Sequence, residues 1–376
     1  MTLKAKELWN FKYNAPILGI EVADLNGNGQ IEIIAYTKNG ILLIISLNGK
    51  LLHKEIISKD SPLWHLKIYD INEDGRYELI LGGMDGIVRI FKCDLTYNLE
   101  LLWTHKFDSS ISGILIDDIN NDSLNELVIF SLDKTLRVLN PYDYTLVWAQ
   151  VFEDGIGDAK IFINNENFAK KEILACGNDG TIRIFDGTNG QLLWFKRYSG
   201  KMRVINYMNT LKGPVLICGG DDKKLHIINK LTQNEIETFK FEDFIWKSMC
   251  YPFPIFNKVL VSSYSFIYFN ESISIKNIEF TSKLVCLNEY FDTIWELKGY
   301  NIESLKIIKI YNRILIFIGT TKGELIVIDE QTGTILLIIY NSSCVNMIQL
   351  LTDTGLLLSC YDDGTISAHN LEDVLI

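Results

Sequence analysis

The chain has 376 residues, 48% of them apolar and 22% charged, which is a globular composition with ample material for a core. Its formal net charge of -11 argues against nucleic acid as a partner, because gripping phosphates needs clustered Lys and Arg. Met1–Asn14 holds no apolar stretch of signal-peptide length, and runs such as Ile41–Ile45 and Ile335–Ile339 fall far below the ~20 residues of a membrane-spanning helix. A cytoplasmic protein with no membrane span is expected.

In chain order, one unit recurs. An apolar strand A ends in a loop; strands B, C and D follow, with tight turns between B and C and between C and D. The first full unit has A at Leu18–Ala23, B at Glu32–Tyr36, C at Ile41–Leu47 and D at Lys50–Ile56, with Asn39-Gly40 and Asn48-Gly49 as turns. Such pairs between apolar runs mark hairpins, because both central residues need positive φ. The units span 16–57, 62–107, 109–152, 155–198, 200–241, 243–297 and 299–340. Their D strands align at 53, 103, 148, 194, 238, 295 and 337, with His53, Thr238 and Leu337 in place of the tryptophan.

The remainder, 341–376, supplies only Val345–Leu351, Leu356–Tyr361 and Thr365–His369. The segment 6–13, with Glu7-Leu8-Trp9-Asn10-Phe11-Lys12-Tyr13, matches the D pattern of Gln191–Tyr198, so it is expected to complete the last sheet. No helical stretch stands out, and the nearly continuous apolar strands suit sheets covered on both faces. The fold class read from this pattern is all-β: a single β-propeller over 1–376, of eight four-stranded antiparallel blades. Seven blades is the alternative, if one divergent repeat has been counted twice.

Three A–B loops are acidic and share one spacing. Oxygen side chains at positions 1, 3, 5 and 9, and a carbonyl at 7, can wrap a hard cation such as Ca2+. The loop at 70–78 offers Asp70, Asn72, Asp74, Arg76 (carbonyl) and Glu78. The loop at 118–126 offers Asp118, Asn120, Asp122, Leu124 (carbonyl) and Glu126, with Ser123 replacing the glycine. The loop at 24–32 offers Asp24, Asn26, Asn28, Gln30 (carbonyl) and Glu32. Position 12 holds Ala35, Leu81 or Ile129, so these are not EF-hands. The other reading is a set of Asx-turns whose side chains cap backbone groups.

The D-x-N-x-[DN]-G-x-x-E loops resemble the repeats of FG-GAP and VCBS-type propellers. Gly177–Trp194 resembles the PQQ-type repeat, in which a Gly-x-x-x-Trp ending docks the tryptophan between blades. These resemblances imply a propeller used as an interaction platform, with membership of a larger assembly. They do not imply a quinoprotein: no two of the seven cysteines are adjacent, so PQQ is not expected as a cofactor. No H-E-x-x-H, G-x-S-x-G or P-loop occurs, and a non-enzymatic scaffold for protein partners is the expectation. The alternative is a small-ligand or enzymatic site in the central channel. One insertion, Phe266–Phe280, is rich in Phe266, Ile267, Tyr268, Phe269, Ile273, Ile275 and Ile278; it is a candidate partner site or an extra hairpin over its own blade.

Overall fold

The computed structural model describes residues 3–71, 74–163, 171–251, 257–265, 280–310 and 313–372. The turn chemistry sets the strands. In the B–C turns Gly40, Gly86, Gly180 and Gly364 sit at φ of 80°, 70°, 77° and 84°, and Lys134 and Lys223 adopt the same left-handed conformation at 78° and 60°. The Asp-Lys turns of blades three and five therefore do what Asn-Gly does elsewhere.

The strands form eight four-stranded antiparallel sheets in a ring, a β-propeller, and the seven-bladed alternative is set aside. Among the described residues there is no helix. The closing blade joins Val345–Leu351, Leu356–Tyr361 and Thr365–Glu372 to the N-terminal strand Lys4–Lys12. Trp9 lies opposite Ala368 and Lys12 opposite Thr365, so the chain's two ends are sewn into one sheet.

Each blade is sandwiched between neighbours, and its middle strands are buried on both faces. All six residues of Glu32–Thr37 are buried, as are all six of Glu126–Ser131. The apolar core is a set of blade boundaries: Ile17, Ile20 and Ile33 of blade one pack against Leu358, Cys360 and Ile366 of blade eight. Aromatic residues lock several boundaries. The indole N–H groups of Trp9, Trp148 and Trp295 donate to the carbonyls of Leu47, Gly187 and Glu330 in the next blade's C–D turn, at 2.9, 2.8 and 2.8 Å. A Cβ on Gly190 would lie 2.6 Å from the Trp148 ring, and its φ is 72°. The glycine of the Gly-x-x-x-Trp pattern thus makes room for the preceding blade's tryptophan.

Candidate functional site

Strand A of every blade contains a β-bulge near its start, at the second residue in seven blades and the third in blade six, where the pairing with strand B slips by one. A bulge re-aims the extra side chain. The eight extra residues are Leu18, Trp64, Ser112, Gly157, Arg203, Trp246, Glu303 and Asn346, and all eight line one cavity of about 760 Å³ at the channel mouth. His65, Lys201, Lys247, and Leu132 and Asn178 from two B–C turns complete it. The mouth is thus assembled from one position of the repeat, and its content is mixed.

The charges there are largely matched. The Arg203 guanidinium forks onto the carboxylate of Asp221 and lies 5.4 Å from the Trp246 ring centroid. Burial pushes the Glu303 carboxyl up; Lys247 partly offsets this and Asp362 adds to it. Burial, reinforced by Lys67, pushes the His65 imidazole down to about 4, so it is neutral at pH 7. Deeper in, Lys306 Nζ donates to Gln349 Oε1 at 2.6 Å and Gln349 Nε2 donates to Glu21 Oε2 at 2.9 Å, tying blades seven, eight and one. Burial raises the Cys93, Cys250 and Cys286 thiols to about 12, so they are inert at neutral pH. The arrangement can hold a polar group against indole faces.

The acidic loops lie at the other end of strand A, on the opposite face. Their side chains are engaged with backbone in one shared scheme. Asp24 accepts from the N–H groups of Asn28 and Gly29 (3.0 and 2.8 Å), Asp70 from Asp74 and Gly75 (3.0 and 2.8 Å), and Asp118 from Asp122 and Ser123 (3.1 and 3.0 Å). The ninth-position acid is buried and accepts from the N–H of the second residue: Glu32 from Leu25, Glu78 from Ile71 and Glu126 from Ile119. Ser123 takes the glycine's place at φ 72°.

The second oxygen of that acid distinguishes the loops. Glu32 Oε1 accepts from the Tyr97 hydroxyl of the next blade at 2.9 Å, and Glu126 Oε1 from Asn120 Nδ2 at 2.8 Å. Glu78 Oε1 is buried and meets no donor among the described residues. Burial pushes the Glu78 carboxyl up, and Asp74 and Asp70 add to that, while its bond from Ile71 N–H opposes it. The donor chemistry of the blade-two loop therefore suits a hard cation, although Lys92 Nζ already sits 2.5 Å from Asp74 Oδ2 and holds that carboxyl below its usual range. Asn72 lies outside the described residues. Among the described residues no group of three or more His, Cys, Asp or Glu is arranged to hold a metal ion.

Reading the loops one at a time missed the groups that reach them from the next repeat. Tyr97 is one. Another is Lys230 of blade five, whose Nζ lies 2.9 Å from Glu172, the buried acid at the same place in blade four. Phe266, Ile267, Tyr268, Phe269, Ile273, Ile275 and Ile278 lie outside the described residues. The stems of that insertion are drawn together at the channel-mouth face: Ser265 and Thr281 both donate to Asp243 Oδ2, at 2.7 and 2.6 Å, and Asn301 brackets the Ser265 backbone.

No curated protein matches this chain. Among solved structures it is similar to the computationally designed Ika8 protein, at 15% identity over 96% of this chain and 98% of that one, with a TM-score of 0.72. It is also similar to Sqt1 of Saccharomyces cerevisiae, at 12% identity over 98% of this chain and 99% of that one, with a TM-score of 0.74. At such identities these likenesses show the fold alone. A family model described as KICSTOR complex protein kaptin matches residues 55–148, which take in blade two and most of blade three.

Proposed function

We propose that this chain is a non-enzymatic, cytoplasmic scaffold and one subunit of a larger protein assembly. The observation that carries the reading is the match of blades two and three to the kaptin model, a family described as part of a complex. It is supported by a rigid ring that presents loops on two faces, and by seven thiols whose deprotonation burial disfavours. Affinity purification of the chain at native expression, read by mass spectrometry, tests it. Stoichiometric partner proteins are expected; recovery of the chain alone would overturn the reading. The insertion Phe266–Phe280, rooted beside the channel mouth, is proposed as one partner contact, and its deletion should remove a partner while leaving the melting temperature unchanged.

A small ligand at the channel mouth is a second reading, favoured by the cavity's converging Asn178, Lys201, Lys247 and Glu303. Native mass spectrometry of the purified chain separates the two, since a resident ligand adds its mass. For the blade-two loop we propose weak Ca2+ binding, supported by the unmet Glu78 oxygen. Calcium that binds only the folded chain must raise the melting temperature. No shift at millimolar calcium, or an equal shift in Glu78→Gln, would leave the loop as a backbone cap.

A further inference from the structure

The outer strand of every blade exposes one edge, and unpaired edges invite another strand. Six of the eight carry at least one Lys, Arg, Asp or Glu, the usual guard: Lys4–Lys12, Leu51–Ile56, Leu99–Lys106, Leu192–Arg197, Glu235–Lys240 and Thr293–Lys298. Two carry none: Leu146–Val151 of blade three (LVWAQV) and Ile335–Tyr340 of blade seven (ILLIIY). Each of the eight has a bulge in its pairing with its inner neighbour, so that device does not separate them.

The chain covers one of the two itself. Leu3 N–H donates to the Leu336 carbonyl at 3.1 Å, and Leu3 and Ala5 pack in the cluster that holds Leu336 and Leu337. The covering segment alternates apolar Leu3 and Ala5 with Lys4 and Lys6. Of Ile335–Tyr340 only Tyr340 stays exposed. Blade three's edge has no such strand over it among the described residues; the Arg183 guanidinium of blade four reaches its end, donating to the Val151 carbonyl at 2.9 Å, and Leu146, Val147 and Val151 are 57, 48 and 64% exposed.

We propose that Leu146–Val151 is a strand-addition site for an extended segment of a partner protein, one that alternates apolar and basic residues as Leu3–Lys6 does. The charge around the edge supports this occupant. Asp143 lies just before the strand and Asp154 just after it, while Glu153 is already paired with Arg197 at 2.7 Å, so lysines on the incoming strand meet the carboxylates of Asp143 and Asp154. A second copy of the chain fits poorly. Antiparallel self-pairing would set Asp143 of one copy near Glu153 and Asp154 of the other, and each copy carries a net charge of -11. The inference rests on the scaffold reading above and assigns one of its contacts.

The test uses the full chain and the peptide acetyl-Leu-Lys-Val-Lys-Val-Lys-amide, read by amide hydrogen exchange. Saturable binding that protects Leu146–Val151 is expected. Leu146→Lys and Val151→Lys, each adding the missing guard at an exposed site, should weaken binding at least tenfold without lowering the melting temperature. A peptide with Asp in place of each Lys should bind no better than those variants. Protection absent from Leu146–Val151, protection unchanged in both variants, or a dimer of the chain protected at that strand would overturn the proposal. The scaffold reading is scored separately: if the variants keep every co-purifying partner, this site is lost and the scaffold stands.

Discussion

The boundary between blades three and four and the one between blades four and five hold similar sheets together with different chemistry. The first is aromatic: Trp148 and Phe152 flank Phe185 at ring-centroid distances of 6.3 and 6.1 Å, and the Trp148 indole caps Gly187. The second is charged. Lys230 reaches Glu172, and buried His226 is held between Asp222 (2.7 Å) and Glu235 (2.9 Å), with Lys196 on Glu235 at 2.8 Å and the Tyr198 ring against the imidazole at a centroid distance of 4.0 Å and a tilt of 33°. Each ring nitrogen of His226 thus faces a carboxylate. The repeat fixes where a boundary lies; it does not dictate what fills it, provided the groups brought there satisfy one another.

This contrast can be broken from either side. Trp148→Ala should cost about 3–5 kcal/mol in equilibrium unfolding by denaturant, the range for emptying a large aromatic site. Lys230→Met should cost about 1–3 kcal/mol by taking the lysine's charge away from buried Glu172, and Lys230→Met with Glu172→Leu should recover most of it. An aromatic boundary offers no such rescue. Gly190→Ala should cost more than ~1 kcal/mol, because the new methyl meets the Trp148 ring at a positive φ.

Acid should separate the two boundaries again. Burial pushes the Glu235 carboxyl up, but Lys196, Thr238 and His226 together outweigh it and hold it at about 2, against 4.5 for an ordinary Glu. Its contribution is therefore complete above pH 4.5 and lost as pH falls toward 2. Melts between those values should show a smaller pH dependence in Glu235→Gln than in the parent chain, while Trp148→Ala should leave that dependence unchanged. The smallest effect is expected at the acidic loop of blade three. Ser123→Gly, at a φ of 72°, should stabilise by up to about 1 kcal/mol.

Much of the ring was legible in the sequence because its signals are local. Asn-Gly and Asp-Gly turns, and Trp9 matching Trp194, each report on a few adjacent residues, and they were enough for the eight blades and for the closing strand. The channel mouth was not legible. A bulge is a fact of register between two strands, and nothing in Leu18, Trp64, Ser112 or Glu303 alone announces it. The acidic loops were half legible. Their spacing shows oxygens that converge, but the Tyr97 hydroxyl that meets Glu32 comes from the next repeat, 65 positions away. His226 is met by Asp222, four positions before it, and by Glu235 on the neighbouring strand, and no motif spacing announces either contact.

The seam formed by Lys4–Lys12 has a kinetic side. Lys12 and Thr365 bond across 353 positions of sequence, so the circle shuts only after the strands of all eight blades exist and Lys4–Lys12 reaches Thr365–Glu372. In equilibrium terms such a long closure is mild, since each doubling of loop length adds only about 0.6 kcal/mol. In time it is demanding, because contacts so far apart form late. Until they do, blades one and eight each wait with a naked flank, and that interval is when a newly made chain would most need shelter from its neighbours.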